Sequence, residues 1–147
     1  MLHDIGKIGI LDSILNKPSS LTNEEFEQIK KHTNIGYNML KHVPSFKKNS
    51  ILDIVLHHHE RYDGEGYPHG LIGKNIPLVA RIIAVADSFD AMVSNRIYRE
   101  SQGIDFAVNE LSKGIYTQFD PEITRVFLTL IEENKISIQV KNKKKVH

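Results

Sequence analysis

Histidines and aspartates punctuate this chain at positions no single helix can gather. His3-Asp4 opens it, His32 follows, then His57-His58-His59-Glu60, then Asp87. If these side chains act together, the fold must bring several separate helices to one point, as in helical bundles that build metal sites from facing helices. Imidazole nitrogen with carboxylate oxygen and no thiolate favours iron, manganese or zinc with open coordination positions, which is a hydrolytic arrangement.

The rest of the chain supports a helical scaffold. With 147 residues, 40% of them hydrophobic, it is the size of one domain and can bury a core. Thr22 and Glu25 have capping-box spacing. With Phe26, Ile29, Ile35, Tyr37 and Leu40 they predict a helix of about 20 residues, ended by Pro44. A second helix is expected from Asn49 to Arg61, carrying Ile51, Leu52, Ile54, Val55 and Leu56. Residues 63–73, with their run of glycines and Pro68, predict a loop. Pro77 suits the first turn of a helix bearing Ile82, Ile83, Val85, Ala86, Phe89 and Met92. Further helices are expected over Asp105–Lys113 and from the Asp120-Pro121 cap to Glu133. The class is all-α, with an irregular or β-like end at Ile136–Val140. The domain reads as residues 1–135, followed by a basic tail, 136–147, that contains Lys141, Lys143, Lys144 and Lys145.

Composition narrows the partners. A net charge of +1 argues for neither a nucleic-acid polymer nor a membrane surface. No apolar run is long enough to insert in a bilayer. The absence of cysteine removes thiol nucleophiles and zinc ribbons, and fits the cytoplasm.

Each chemical feature has an ordinary alternative. Adjacent His3 and Asp4 point about 100° apart on a helix, so they serve a larger site or none. His58-His59 sits at the mouth of a potential pocket, or forms a solvated helix C-terminus that favours cationic imidazole. Asp87 lies on the apolar run Arg81–Phe89, where a buried carboxylate must bind metal or pair with Arg81 or Lys7. Lys7, Arg96, Tyr98 and Arg99 fit an anionic substrate, or a charged helix end. The glycine-rich loop matches neither a P-loop nor a dinucleotide fingerprint, and there is no nucleophile elbow.

Taken in order, His3-Asp4-Ile5-Gly6-Lys7, Ile14-Leu15-Asn16-Lys17-Pro18, His58-His59-Glu60, Asp63-Gly64-Glu65-Gly66-Tyr67-Pro68, Ala80-Arg81-Ile82 through Asp87, Arg96-Ile97-Tyr98-Arg99 and Phe119-Asp120-Pro121 resemble the HD-GYP subgroup of the HD metal-dependent phosphohydrolases. The resemblance spans roughly residues 2 to 130. It implies an all-helical HD-domain bundle with a glycine-rich signature loop and two or three divalent ions, iron or manganese. The implied activity is hydrolysis of cyclic di-GMP to pGpG or GMP by a metal-bridging hydroxide.

By the same resemblance, His3, His32, His58, His59 and Asp87 match metal ligands, and Asp4 the bridging carboxylate. Lys7 matches the lysine beside the scissile phosphate, and Arg96 and Arg99 the substrate-phosphate end. Asp63, Gly64, Gly66, Tyr67 and Pro68 match the signature loop, which shapes the pocket rim and is implicated in binding partner domains, with GGDEF-type domains as a candidate partner. Glu60 and Asp63 are candidate outer-shell acceptors for the histidine N–H groups. His57 and His69 are extra, expected to be structural or solvent-facing. Relatives carry one or two helices before the His-Asp pair, so the chain reads as N-terminally incomplete, and an uncovered apolar face could drive homodimerisation. The alternatives are another HD-type nucleotide phosphohydrolase, or a non-catalytic module that senses cyclic dinucleotides or docks on GGDEF domains through a degenerate metal site.

Overall fold

A computed structural model describes residues 2–94 and 103–136; the expected contributions of Arg96, Tyr98 and Arg99, and of the basic tail from residue 137, lie outside them. Among the described residues the secondary structure is helical, with one isolated bridge between Ile115 and Phe119 and no strand. The chain opens with a 3-10 helix, Leu2–Gly9, and continues through α1 (Asp12–Leu15), α2 (Asn23–Lys30), α3 (His32–Leu40), α4 (Pro44–Lys48), α5 (Ile51–His57), α6 (Leu78–Ser94), α7 (Gly103–Lys113) and α8 (Pro121–Glu132). No helix among the described residues is long and apolar enough to cross a membrane.

The capping box at Thr22 forms as expected. The Glu25 amide donates to the Thr22 hydroxyl at 3.3 Å, and the Thr22 amide donates to the Glu25 carboxylate at 2.7 Å. Lys17 reaches the same carboxylate at 2.6 and 2.8 Å, tying the preceding segment to the start of α2. The single long helix expected here is instead two. The Lys31 amide closes a tight turn on the Gln28 carbonyl, and α3 begins afresh at His32. Pro44 does not end that helix either: α3 stops at Leu40, and Pro44 opens the short α4, where its missing N–H costs nothing.

α5 ends at His57, four residues before the expected Arg61. The Glu60 amide turns back to the His57 carbonyl at 3.0 Å, so His58 and His59 stand on a turn rather than on a helix face. The Asp120 cap holds, with its carboxylate accepting the Glu122 and Ile123 amides at 2.9 and 3.1 Å.

The apolar core lies among α6, α7 and α8, where Val85, Phe89, Val93, Ala107, Leu111 and Phe119 are buried. The Phe89 and Phe127 rings meet edge to face at 5.3 Å. At the other end, the opening 3-10 helix packs on α3 and α5. The approach is close enough that a Cβ at Gly6 would lie 1.9 Å from the His32 carbonyl oxygen, so only glycine fits. That backbone contact carries His3 and Asp4 up to His32.

Candidate functional site

Four separate elements deliver the site. His3 and Asp4 come from the opening helix, His32 from the first residue of α3, His58 and His59 from the turn after α5, and Asp87 from α6. Asp4, His32, His58 and His59 offer donor atoms that all lie within 4.8 Å of one another. Asp4 Oδ1 is 3.5 Å from His32 Nε2 and 3.8 Å from His58 Nε2. Asp4 Oδ2 is 3.6 Å from His3 Nε2, which in turn lies 3.4 Å from Asp87 Oδ1. Asp4 therefore sits between two groups of donors, one oxygen toward each.

The imidazole orientations are set by main-chain carbonyls. His32 Nδ1 donates to the Ile29 carbonyl at 2.7 Å, and His58 Nδ1 donates to the Ile54 carbonyl at 3.0 Å. With the proton on Nδ1, each Nε2 presents a lone pair. The two Nε2 atoms face each other at 3.4 Å. Two lone pairs at that distance repel unless a cation lies between them. The expected outer-shell roles of Glu60 and Asp63 do not hold. Glu60 accepts the His69 and Leu71 amides, Asp63 pairs with Arg61, and the carbonyls orient the histidines instead.

The electrostatics agree with this donor set. Contact with His58, and then the Lys7 ammonium 2.7 Å from Oδ2, hold the Asp4 carboxyl well below the usual carboxylate range against an opposing cost of burial. His3 holds Asp87 below that range in the same way. Burial pushes His32 down, and burial with its histidine neighbours pushes His59 down to about 3. Ionised carboxylates beside neutral imidazoles are the protonation states that metal binding requires. Ligands at about 2.0–2.1 Å from an ion stand about 3.0–3.4 Å apart; the observed spacings lie at or just above that range. The residues fit a divalent metal.

Asp87 departs from expectation. Its side chain is 37% exposed rather than buried, and neither Arg81 nor Lys7 pairs with it. Arg81 is committed to the buried Asp120 carboxylate, and Lys7 to Asp4. The side chain faces His3 because α6 turns its Ala84–Asp87–Ser88 face into a cavity of about 360 Å³, which His58 and His59 also line.

The signature loop forms the rim of that cavity. Gly66 is pressed so tightly on the chain that a Cβ would lie 2.2 Å from the Arg61 amide nitrogen. Tyr67 precedes a cis peptide to Pro68, and its ring stacks on His59 at 4.9 Å. Asp63 is stitched by its amide to the Thr117 carbonyl, and its carboxylate accepts the Glu65 amide. Gly64 adopts a positive φ of 88° at the loop's first bend. Sequence reading missed Phe26, Lys30 and Gln118, which line the cavity beside Tyr67. The Lys30 ammonium lies 4.9 Å from the Phe26 ring centre and 5.6 Å from that of Tyr67. The only hint of this in the sequence is that Phe26 and Lys30 are one turn apart on α2.

An HD domain family model matches residues 1–123. A protein of Thermotoga maritima named cyclic di-GMP phosphodiesterase is 48% identical over 132 residues, which cover 90% of this chain and 36% of that protein. A cyclic di-GMP phosphodiesterase response regulator of Xanthomonas campestris is 47% identical, over 86% of this chain and 34% of its own length. A 3'3'-cGAMP-specific phosphodiesterase of Vibrio cholerae is 38% identical over 83% of this chain. The chain thus spans about a third of the length of the first two relatives. The crystal structure of a cyclic GMP-AMP specific phosphodiesterase of Vibrio cholerae superposes with a TM-score of 0.65 at 19% identity, over 91% of this chain and 37% of that one, a likeness of fold alone. With the match running through the His-Asp pair and past the signature loop, the chain belongs to the HD domain family, in its HD-GYP subgroup.

Proposed function

We propose that this chain is the catalytic part of a phosphodiesterase that opens cyclic di-GMP to pGpG or GMP. The observation that carries the reading is the convergence of His3, Asp4, His32, His58 and Asp87 from four elements, with three histidine nitrogens 3.5–3.8 Å from the Asp4 carboxylate and Asp87 3.4 Å from His3. Relatives at 47–48% identity bear the name of that activity. His3, Asp4, His32, His58, His59 and Asp87 would hold two or three divalent ions, iron or manganese, with Asp4 offering one oxygen toward each group of donors. Such ions, when bound, supply Lewis-acid stabilisation of phosphate charge and acidify a water toward neutrality.

The chain's own groups do the rest. The Lys7 ammonium, held beside Asp4, offsets charge on the non-bridging oxygens of the phosphate under attack. By the resemblance, Arg96 and Arg99, outside the described residues, would contact the substrate phosphates. Tyr67, packed over His59, closes one side of the cavity and limits water there. The exposed loop residues Glu65 and His69 are offered to GGDEF-type domains, and exposed Ile8 and Leu11 are apolar side chains that a homodimer would cover. A cysteine-free chain suits the reducing cytoplasm.

Incubation of the purified chain with cyclic di-GMP and Mn²⁺ or Fe²⁺, with products separated by chromatography, tests this. Linear pGpG or GMP should appear, and Asp4→Ala and Asp87→Ala should each lower turnover by more than about 100-fold, beyond the loss typical of outer-shell changes. Wild-type turnover in either variant would sink the assignment. 3'3'-cGAMP belongs in the same assay, because relatives at 36–39% identity are named for it.

A further inference from the structure

We propose a second divalent-cation site, formed by His57, Glu60 and His69, that takes a zinc-type ion and straps the signature loop to the end of α5. Nothing in it rests on the proposed hydrolysis. The three donor atoms lie within 4.8 Å of one another, and none belongs to the Asp4, His32, His58 and His59 group. His57 ends α5, so its ring leaves the helix about 100° away from that of His58.

Two observations point to a cation there. His57 Nδ1 is buried and makes no hydrogen bond. A buried polar nitrogen left alone is costly and calls for a partner. It faces Glu60 Oε1 at 3.5 Å, close to the about 3.4 Å that separates two ligands of a tetrahedral zinc ion. The Glu60 side chain is fully buried, and its oxygens accept the His69 and Leu71 amides at 2.8 and 3.0 Å. Each carboxylate oxygen keeps a further lone pair for an ion.

His69 completes the set. It is exposed, and its ring centre is 5.2 Å from that of His57 at a tilt of 54°, so the two rings converge without stacking. A side-chain rotation closes the remaining distance, and water takes the fourth position. Two imidazoles and a carboxylate select zinc over the oxygen-seeking magnesium and calcium. Because His69 follows the Tyr67-Pro68 pair, an ion here would restrain the segment that places Tyr67 on His59.

The test uses the full chain, stripped with chelator and given zinc alone. Zinc retained after gel filtration is counted by mass spectrometry, and hydrogen exchange is followed at the His69 and Leu71 amides. His69→Ala, a change at an exposed position, should retain one zinc fewer per chain, and isothermal titration should show that one binding event weakened by about 100-fold or more. His69→Asp, which supplies a carboxylate oxygen in place of the imidazole nitrogen, should recover the lost ion. Zinc should slow exchange at the Leu71 amide in the wild type and leave it unchanged in His69→Ala. Equal zinc content and affinity in the wild type and His69→Ala would overturn the proposal, as would equal slowing of Leu71 exchange in both. None of these readouts involves turnover, so failure of the hydrolysis assay leaves them decisive.

Discussion

α6 passes through two unlike regions of the molecule. Around Asp87 it borders a polar-lined cavity where main-chain carbonyls orient the imidazoles and a glycine contact seats the opening helix. Around Phe89 it packs among α7 and α8 through buried apolar side chains, with the Arg81–Asp120 ion pair joining its first turns to the α8 cap. The first region holds its groups where they repel or desolvate one another, and an ion would relieve the conflict. The second gains stability from burial, which has no preferred direction. Substitutions in the first should therefore change chemistry more than folding, and substitutions in the second the reverse.

Gly6→Val probes the seam on which the first region depends, and we expect the largest effect there. Its side chain would collide with the His32 carbonyl, forcing the opening helix away from α3. Loss of about 3 kcal/mol or more in urea unfolding and loss of metal retention should occur together; retention of metal at wild-type affinity would show that the seam is slack. Phe89→Ala should cost about 3–5 kcal/mol in the same unfolding experiment. At a temperature where the variant is still folded, its metal content per chain should equal that of the wild type, and a selective loss of metal would mean that the two regions are coupled through α6.

Asp120→Asn sharpens the comparison from the apolar side, because it keeps the α8 cap but leaves the Arg81 guanidinium without its carboxylate. About 3 kcal/mol should be lost near neutral pH. Burial pushes the Asp120 carboxyl up, but the Ile123 and Glu122 amides and Arg81 together outweigh it, so it titrates below the ordinary carboxylate range. Its contribution is thus complete above about pH 3.9, the unfolded value, and disappears as pH falls through the lower folded value. The gap in stability between wild type and Asp120→Asn should narrow below that pH, and a gap constant from pH 7 to pH 2 would contradict the pairing. The smallest effect belongs to Lys30→Ala. Removing the Lys30 cation beside Tyr67 should raise KM for the proposed cyclic dinucleotide substrate by about tenfold, with kcat little changed.

Helix existence was legible where local chemistry decides it. The Thr22–Glu25 box and the Asp120-Pro121 cap are hydrogen bonds among near neighbours, and both formed where their residues stand. Helix length was less legible. The break at Lys31 and the early end of α5 at His57 follow from where α3 and the turn must face their neighbours, and no local propensity records that demand. Candidate site residues could be named from the resemblance, yet their surroundings could not. Asp87 was expected to be buried and is not, and the acceptors for the histidine N–H groups are carbonyls, which carry no side-chain identity to read. Lys30 and Phe26 were invisible as cavity residues because they look like any amphipathic pair one turn apart.

By itself, the order of residues determined an all-helical chain, its caps, its glycine-rich loop and the kinds of donor atom available, since each depends on intrinsic preference or on neighbours within one turn. Only the tertiary structure decided which donors meet, which nitrogen of His32 and His58 stays free and which histidine nitrogen is buried without a hydrogen bond. Those outcomes depend on distances between groups tens of residues apart, and such distances exist only once the helices have packed.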